Sequence, residues 1–506
     1  MLQFRRVGLS AIAMLVLASS AHAGVDLIAT GQLSGTIADR SRETAGTLEN
    51  GVAGNLFGGI GSGMTYAGCE TFLAVPDRGP NAVPFNSAID DTASYINRFQ
   101  TLRLHLSTAP KHAALPFTLT PELRATTLLH TSDPLVYGSG AAFGVPSGEP
   151  ALNRKNHTHY FTGRSDNFDP AKLSTNPLDA RLDPESIRVA NDGDSVYISD
   201  EYGPYIYRFD RDTGRRIQVI KVPDSFAVSL LSPVGNTEIA QNTSGRVANK
   251  GMEGLAITPD GKTLYGGMQS PLLQDGGTNG GYTRILRVDL RTGKTQQFAY
   301  PLTNIGTTAK PKYPTISEIT AVNDHELLVD ERDGNGLGDD STASFKKVFH
   351  IDLANAQDVS QAVGQAGLAP YAVQKTLFLD IVAVLTAHGF TTDNIPAKLE
   401  SLAFGYDVKI DGKKKHTLFI ANDNDFLGTI TDTHHPSGTA NPNQFFVFAF
   451  DASDLPGFVP QQLRANDGRE HDDHGNAVCG RGWDDDDHDN GHDGDHGHDH
   501  DHGRND

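Results

Sequence analysis

The stretch DPESIRVANDGDSVYISDEYGPYIYRFD, Asp183 to Asp210, carries the fold of this chain. It contains three short runs rich in β-branched and aromatic residues, SIRV, SVYIS and YIYRF, separated by Asn191-Asp192-Gly193-Asp194 and by Tyr202-Gly203-Pro204. Such runs bounded by Gly, Pro, Asn and Asp read as consecutive antiparallel strands. Glu185 opens the first strand and Asp200 closes the second. The two are symmetric about the turn, so a hairpin sets them side by side.

The same unit recurs along the chain. It reads GSGMTY…LAVPDRGP from Gly61, GMEGLAI…LYGGMQSP from Gly251, ISEITAV…LLVDERDG from Ile316 and KLESLAF…LFIANDND from Lys398. Third strands follow at Leu102–Leu106, Tyr205–Phe209, Ile285–Val288, Val348–Ile351 and Phe445–Phe450, and two of them close on Asp-x-x-Thr-Gly, at Asp210–Gly214 and Asp289–Gly293. Repetition of one antiparallel unit at this period implies a propeller. The expected fold is all-β: a six-bladed β-propeller with five repeats readable and the sixth, decayed, within residues 107–180. Spacings of 68, 65 and 82 residues between Glu185, Glu253, Glu318 and Glu400 imply long loops. Val373 to His388 shows helical spacing and predicts a helical insertion near 370–390.

Both ends read differently. Residues 1–23 have the Arg5-Arg6, Leu9–Leu17 and Ala21-His22-Ala23 pattern of a signal peptide, so the protein is expected to be exported, periplasmic or secreted, with no membrane span. The propeller domain is expected over 24–465. Residues 466–506 form a His/Asp-rich tail that cannot build a core and is expected to be disordered, with imidazoles that hold Zn2+ or Ni2+ loosely. From His471 onward the tail has 12 Asp, 2 Arg and 8 His, which is half of the chain's net charge of −20. No basic footprint for nucleic acid remains. With two cysteines, Cys69 and Cys479, disulfides do not carry the fold.

Inner strands of a propeller run the same way, so equivalent strand ends share one mouth. Glu185, Glu253, Glu318 and Glu400 are expected there with Asp77, Asp200, Asp330 and Asp423. That many carboxylates must take up protons or a cation, and oxygen-only donors suit Ca2+. Arg78 and Arg332, each directly after one of these aspartates, offer forks for an anionic group. Glu185, Glu201 and Glu331 are candidates to activate water. No G-x-S-x-G occurs, so a nucleophile-elbow serine hydrolase is not indicated.

Asp183-Pro184-Glu185-Ser186, Asp200-Glu201-Tyr202-Gly203, Gly251-Met252-Glu253-Gly254-Leu255, Asp330-Glu331-Arg332 and Leu399-Glu400-Ser401-Leu402 resemble the phytase-like family described as "esterase-like activity of phytase". The resemblance spans residues 50 to 450. It implies a propeller and hydrolysis of a phosphoester or other ester; a small anionic ester as substrate, Ca2+ as cofactor and a monomer are expected. Ser62 and Met268-Gln269 depart from the acidic pattern. Two other functions stay open: a non-catalytic ligand- or protein-binding propeller with structural Ca2+, and a Ca2+-dependent lactonase or arylesterase.

Overall fold

A computed structural model describes residues 24–80 and 85–464. Four four-stranded antiparallel sheets and one six-stranded sheet follow one another along the chain. The first comprises Gly63–Tyr66, Thr71–Val75, Arg98–Thr108 and Phe117–Leu128. The second comprises Pro184–Val189, Ser195–Asp200, Tyr205–Asp210 and Arg216–Ile220. The third holds Met252–Ile257, Thr263–Met268, Tyr282–Asp289 and Thr295–Pro301, and the fourth Thr315–Ala321, Glu326–Arg332, Lys346–Asp352 and Lys375–Asp380. The fifth is built from both ends of the described chain. Lys398–Leu399 and Ala403–Phe404 form its inner edge, followed by Lys413–Asp423 and Asn443–Phe450, and Asp26–Leu33 pairs outside Asn443–Phe450 to close the circle.

Five apolar clusters glue the blades. Leu73, Val75 and Phe99 of the first blade pack with Ile187, Val189 and Val196 of the second. Tyr197 and Ile206 pack with Leu255 and Leu264, and Tyr265 and Ile285 with Ile316 and Ile319. Leu328 and Val348 meet Leu418 and Ile420, and Phe419 and Phe445 return to Phe72 and Leu102. Each blade buries both faces, which is why its strands read as apolar runs rather than strict alternation.

The propeller is therefore five-bladed, not six-bladed. The residues expected to hide a sixth blade extend the outer hairpin of the first, Arg98–Thr108 with Phe117–Leu128, and then run through loops and the two-residue strands His130–Thr131 and His159–Tyr160. The insertion near 370–390 is half strand. Lys375–Asp380 is the outer strand of the fourth blade, and only Ile381–Ala387 is helical, its first turn capped by the Asp380 carboxylate accepting from the Ala383 amide at 3.1 Å. The Asp-x-x-Thr-Gly repeats are hairpin chemistry. Asp210 and Asp289 each accept from the amide and hydroxyl of the Thr three residues on, and Gly214 and Gly293 take positive φ of 72° and 69°. No helix among the described residues is long and apolar enough to cross a membrane. Cys69 sits at the turn of the first hairpin with φ 55°. Cys479, the expected signal peptide and the tail lie outside the described residues.

Candidate functional site

The inner strands carry a shared irregularity that decides which acids face the mouth. In the second blade Pro184 faces Asp200 while Ile187 faces Ile198, so one extra residue is accommodated at Glu185-Ser186. The third blade has the extra residue at Glu253, between the pairs Met252–Met268 and Gly254–Gly267. In the fourth blade it is Ser317, between Ile316–Glu331 and Glu318–Asp330. The fifth has it between Leu399–Asn422 and Ala403–Phe404 with Phe419–Leu418, at Glu400-Ser401-Leu402. A β-bulge re-aims the side chain it carries. Aligned on the bulge, Glu185, Glu253, Ser317 and Glu400 are equivalent, and Glu318 stands one residue further along. A one-residue offset turns a side chain to the other side of its strand. On the second strands the matching positions are Glu201, Gln269, Arg332 and Asp423, with Asp77 in the first blade.

These positions converge. Carboxylate oxygens of Asp183, Glu185 and Glu201, all buried, lie within 4.8 Å of one another. Among the described residues no other group of three or more His, Cys, Asp or Glu is as compact. Burial holds Glu185 well above the ordinary carboxylate range, reinforced by Glu253, Asp183, Glu201 and Asp77. Asp77 is raised by burial and then by Asp423 and Asp183, and Glu253 by burial and then by Glu201 and Glu400. The mutual neighbours thus close a ring, Asp77–Asp183–Glu185–Glu201–Glu253–Glu400–Asp423. Three cations answer it. Arg78 Nη1 lies 3.0 Å from Asp183 Oδ2, Lys398 Nζ lies 2.9 Å from Asp423 Oδ2, and Arg332 pairs with Glu400. Lys398 also pairs with Asp425.

Hydrogen bonding separates Glu185 from its neighbours. Asp183 accepts from the Arg78 amide at 2.9 Å, and Glu201 accepts from the Gly251 amide at 2.8 Å. Gln269 donates to Glu253 Oε1 at 2.7 Å, leaving Oε2 buried without a partner. Among the described residues nothing donates to Glu185. A buried carboxylate without donors is costly unless it is protonated or ligates a cation. Three carboxylates without nitrogen or sulfur are a hard donor set, which suits Ca2+ before transition metals.

Four expected members stay outside the group. Asp200 faces away and accepts from the amides of Asp183 and Gly203, bracing the turn that presents Glu201; burial raises it to about 7. Glu331 faces the third blade, where it accepts from the Tyr300 hydroxyl at 2.6 Å and the Thr303 amide at 3.1 Å and pairs with Lys375. It cannot reach a substrate at the mouth. Asp330 lies two residues deeper than Arg332, fully buried, and burial raises it well above the ordinary range.

Glu318 is the clearest correction. Its carboxylate sits on the axis below the mouth, accepting from Ser186 Oγ at 2.8 Å and from the Leu255 amide at 3.0 Å, and pairing with Arg188 Nη2 at 2.9 Å. Arg188 in turn donates to the carbonyls of Met64, Ile187 and Ile319, each at 2.7 Å, and of Leu402 at 3.4 Å. The pair touches the inner strands of all five blades. Asp183, Asp425 and Lys398 belong to the site but were not singled out as site residues from sequence. The acid before Pro184 was a visible signal for Asp183. Two surface hollows, one against Asp39, Arg40 and Glu122 and one against Gln32, Phe390 and Asn394, lie away from these carboxylates.

The family described as "Phytase-like: Esterase-like activity of phytase" matches residues 55–426. The chain belongs to the phytase-like family. The matched span holds every ring carboxylate; of the blade strands it omits Asp26–Leu33 and Asn443–Phe450 of the fifth. An "uncharacterized secreted protein" of Arthroderma benhamiae is 30% identical over 280 residues, 49% of this chain and 51% of that protein. This phytase-like chain thus spans about half the length of the curated relative it matches. Among solved structures, Pseudomonas fluorescens PhoX in complex with vanadate has a TM-score of 0.37 at 11% identity, covering 87% of this chain and 100% of that one. A 6-phosphogluconolactonase-type protein of Bacteroides uniformis, itself described as putative, has a TM-score of 0.28 at 13% identity, covering 81% and 97%. Likenesses at these scores do not bear on function.

Proposed function

We propose that this phytase-like protein is an exported, Ca2+-dependent hydrolase of a phosphoester or another ester, with Asp183, Glu185 and Glu201 as the cation ligands. The observation that carries this reading is the compact buried carboxylate trio whose central member, Glu185, has no hydrogen-bond donor. Family membership supports it. When bound, a divalent cation supplies charge that neutralises the trio and polarises a phosphoryl or carbonyl oxygen.

The chain's own residues supply the rest. Arg78, with its side chain 16% exposed against 9% for Arg332, keeps its Nε without a partner, so it can hold the anionic group of a substrate beside Asp183. Arg332 is committed to Glu400 and is not free to do so. Glu253, with its free Oε2 held above the ordinary range, replaces Glu331 as the group that takes a proton from attacking water. Glu185 and Glu201 stay with the cation. The test is turnover of a phosphomonoester and of a lactone by the purified protein, with and without chelator. Ca2+-dependent turnover of one of the two substrates, lost in Glu253→Gln, is expected; turnover indifferent to both chelator and Glu253→Gln rejects the mechanism.

The burial of the same carboxylates supports a second reading, a purely structural Ca2+ in a binding propeller: Asp183 is 0% and Glu201 2% exposed. Under it, chelation lowers thermal stability while neither ester is turned over. Export and loose Zn2+ or Ni2+ binding by the tail belong to the proposal as well, the former supported by a relative described as secreted.

A further inference from the structure

The mouth is not charged evenly around its circumference. On the side of the first and second blades, the only ion pair that Asp77, Asp183, Glu185 and Glu201 make among the described residues is that of Asp183 with Arg78, while Lys398 and Lys250 act on Asp77 and Glu201 without pairing to them. On the side of the third to fifth blades, Glu253, Asp423, Asp425 and Glu400 each have a partner from the chain itself. Gln269 donates to Glu253, Lys398 pairs with Asp423 and Asp425, and Arg332 pairs with Glu400. Register makes Arg332 the odd member. It occupies the place that Glu201 fills in the second blade and Asp423 in the fifth, so the fourth blade has a guanidinium where those two have carboxylates and the third has the neutral Gln269. Its environment is that of a central ion. Glu400, Glu253, Asp330 and Asp423 all act on it, it is 7% exposed, and its Nε is buried without a partner. The free Glu253 Oε2 is likewise buried in this sector.

We infer that Arg332 is a tethered counter-ion that stands where the Glu253–Glu400–Asp423 side of the mouth would otherwise need a metal cation, and that it thereby confines cation binding to Asp183, Glu185 and Glu201. A fixed guanidinium neutralises neighbouring carboxylates at any Ca2+ concentration, and its planar fork fills the space between them. Without it, three carboxylates with a single remaining lysine face each other in a buried setting. They then take up protons or a divalent ion. Arg332 is a positioning residue in this scheme and does not touch substrate. The inference rests on the proposed cation site for its second half, the confinement, and on local geometry alone for its first.

The experiment is a calorimetric Ca2+ titration of the full-length protein after chelation, comparing wild type, Arg332→Gln, Arg332→Lys, Arg332→Gln/Glu400→Gln and Glu400→Gln. Arg332→Gln is expected to bind an additional Ca2+ per chain and to lose more thermal stability in chelator than wild type does. Arg332→Lys keeps the wild-type stoichiometry, and Glu400→Gln cancels the gain in the double variant. On its own, Glu400→Gln leaves Ca2+ binding as in wild type. A folded Arg332→Gln with wild-type stoichiometry overturns the inference. So does an Arg332→Gln chain that Ca2+ cannot fold, or loss of Ca2+ binding in Glu400→Gln. If wild type binds no Ca2+, the proposed site at Asp183 fails, while the difference between Arg332→Gln and wild type still decides the role of Arg332.

Discussion

Replacing Arg188 by Met should destabilise the propeller far more than any other single change near the axis. Arg188 donates to three backbone carbonyls at 2.7 Å and pairs with Glu318 at 2.9 Å, and both residues are buried. Removing the guanidinium leaves Glu318 as an uncompensated charge, which costs about 3–5 kcal/mol. Unfolding entropy of roughly 2.1 cal/mol/K per residue converts that loss, in a chain this long, into a Tm drop of only about 4 °C. Urea denaturation is therefore the sharper assay. Far-UV circular dichroism should follow it, because the only tryptophan, Trp483, lies outside the described residues. Adding Glu318→Gln, which keeps an acceptor oxygen for the Leu255 and Ile319 amides while removing the charge, should restore about half of the loss or more. A cost below about 1 kcal/mol for Arg188→Met, or a double variant no better than the single, refutes the reading of this pair as the buried junction of five blades.

Stability in chelator should fall as pH rises. Asp77, Glu185, Glu253 and Glu318 all have folded-state values above those of the unfolded chain, Glu318 and Asp200 near 7. The native state therefore keeps protons that the unfolded chain has released, and the resulting stability is complete below about pH 4 and lost as pH climbs through about 7. Ca2+ should flatten much of this slope, and a chelated protein that gains Tm between about pH 5 and 8 contradicts the sign. Asp200→Ala should cost about 1–3 kcal/mol by orphaning the Asp183 and Gly203 amides. It should also weaken Ca2+ binding although Asp200 is not a ligand, as a titration alongside urea denaturation would show. Deleting residues 466–506 should abolish Zn2+ uptake measured by equilibrium dialysis, and unchanged uptake would place the zinc sites elsewhere.

The propeller was legible in the sequence because its period is written in the strands themselves. An acid heads the inner strand in four of the units and an Asp-x-x-Thr-Gly turn follows the third strand in two, and the repeats coincide with real blades. The blade number was not. The fifth blade closes with Asp26–Leu33, a strand that carries no acidic motif, and the long Arg98–Leu128 hairpin reaches into residues whose number is enough for another unit. At the site, Glu185, Glu253, Glu400, Asp77 and Asp423 were found because hairpin symmetry places strand ends correctly to within a residue. One residue is also the limit of that method. A bulge on every inner strand from the second blade to the fifth shifts the pairing by one, so Glu201 replaces Asp200 and Ser317 replaces Glu318 at the mouth. Nothing in the composition of DPES or ISEI announces which residue bulges.

The most direct test is Ca2+ uptake by full-length protein stripped with chelator, measured by calorimetry for wild type and for Glu185→Gln. Saturable binding in wild type that disappears in the folded variant is the expected result. Superimposable isotherms for the two proteins would mean that Asp183, Glu185 and Glu201 hold no cation, and the proposed hydrolytic centre would go with them.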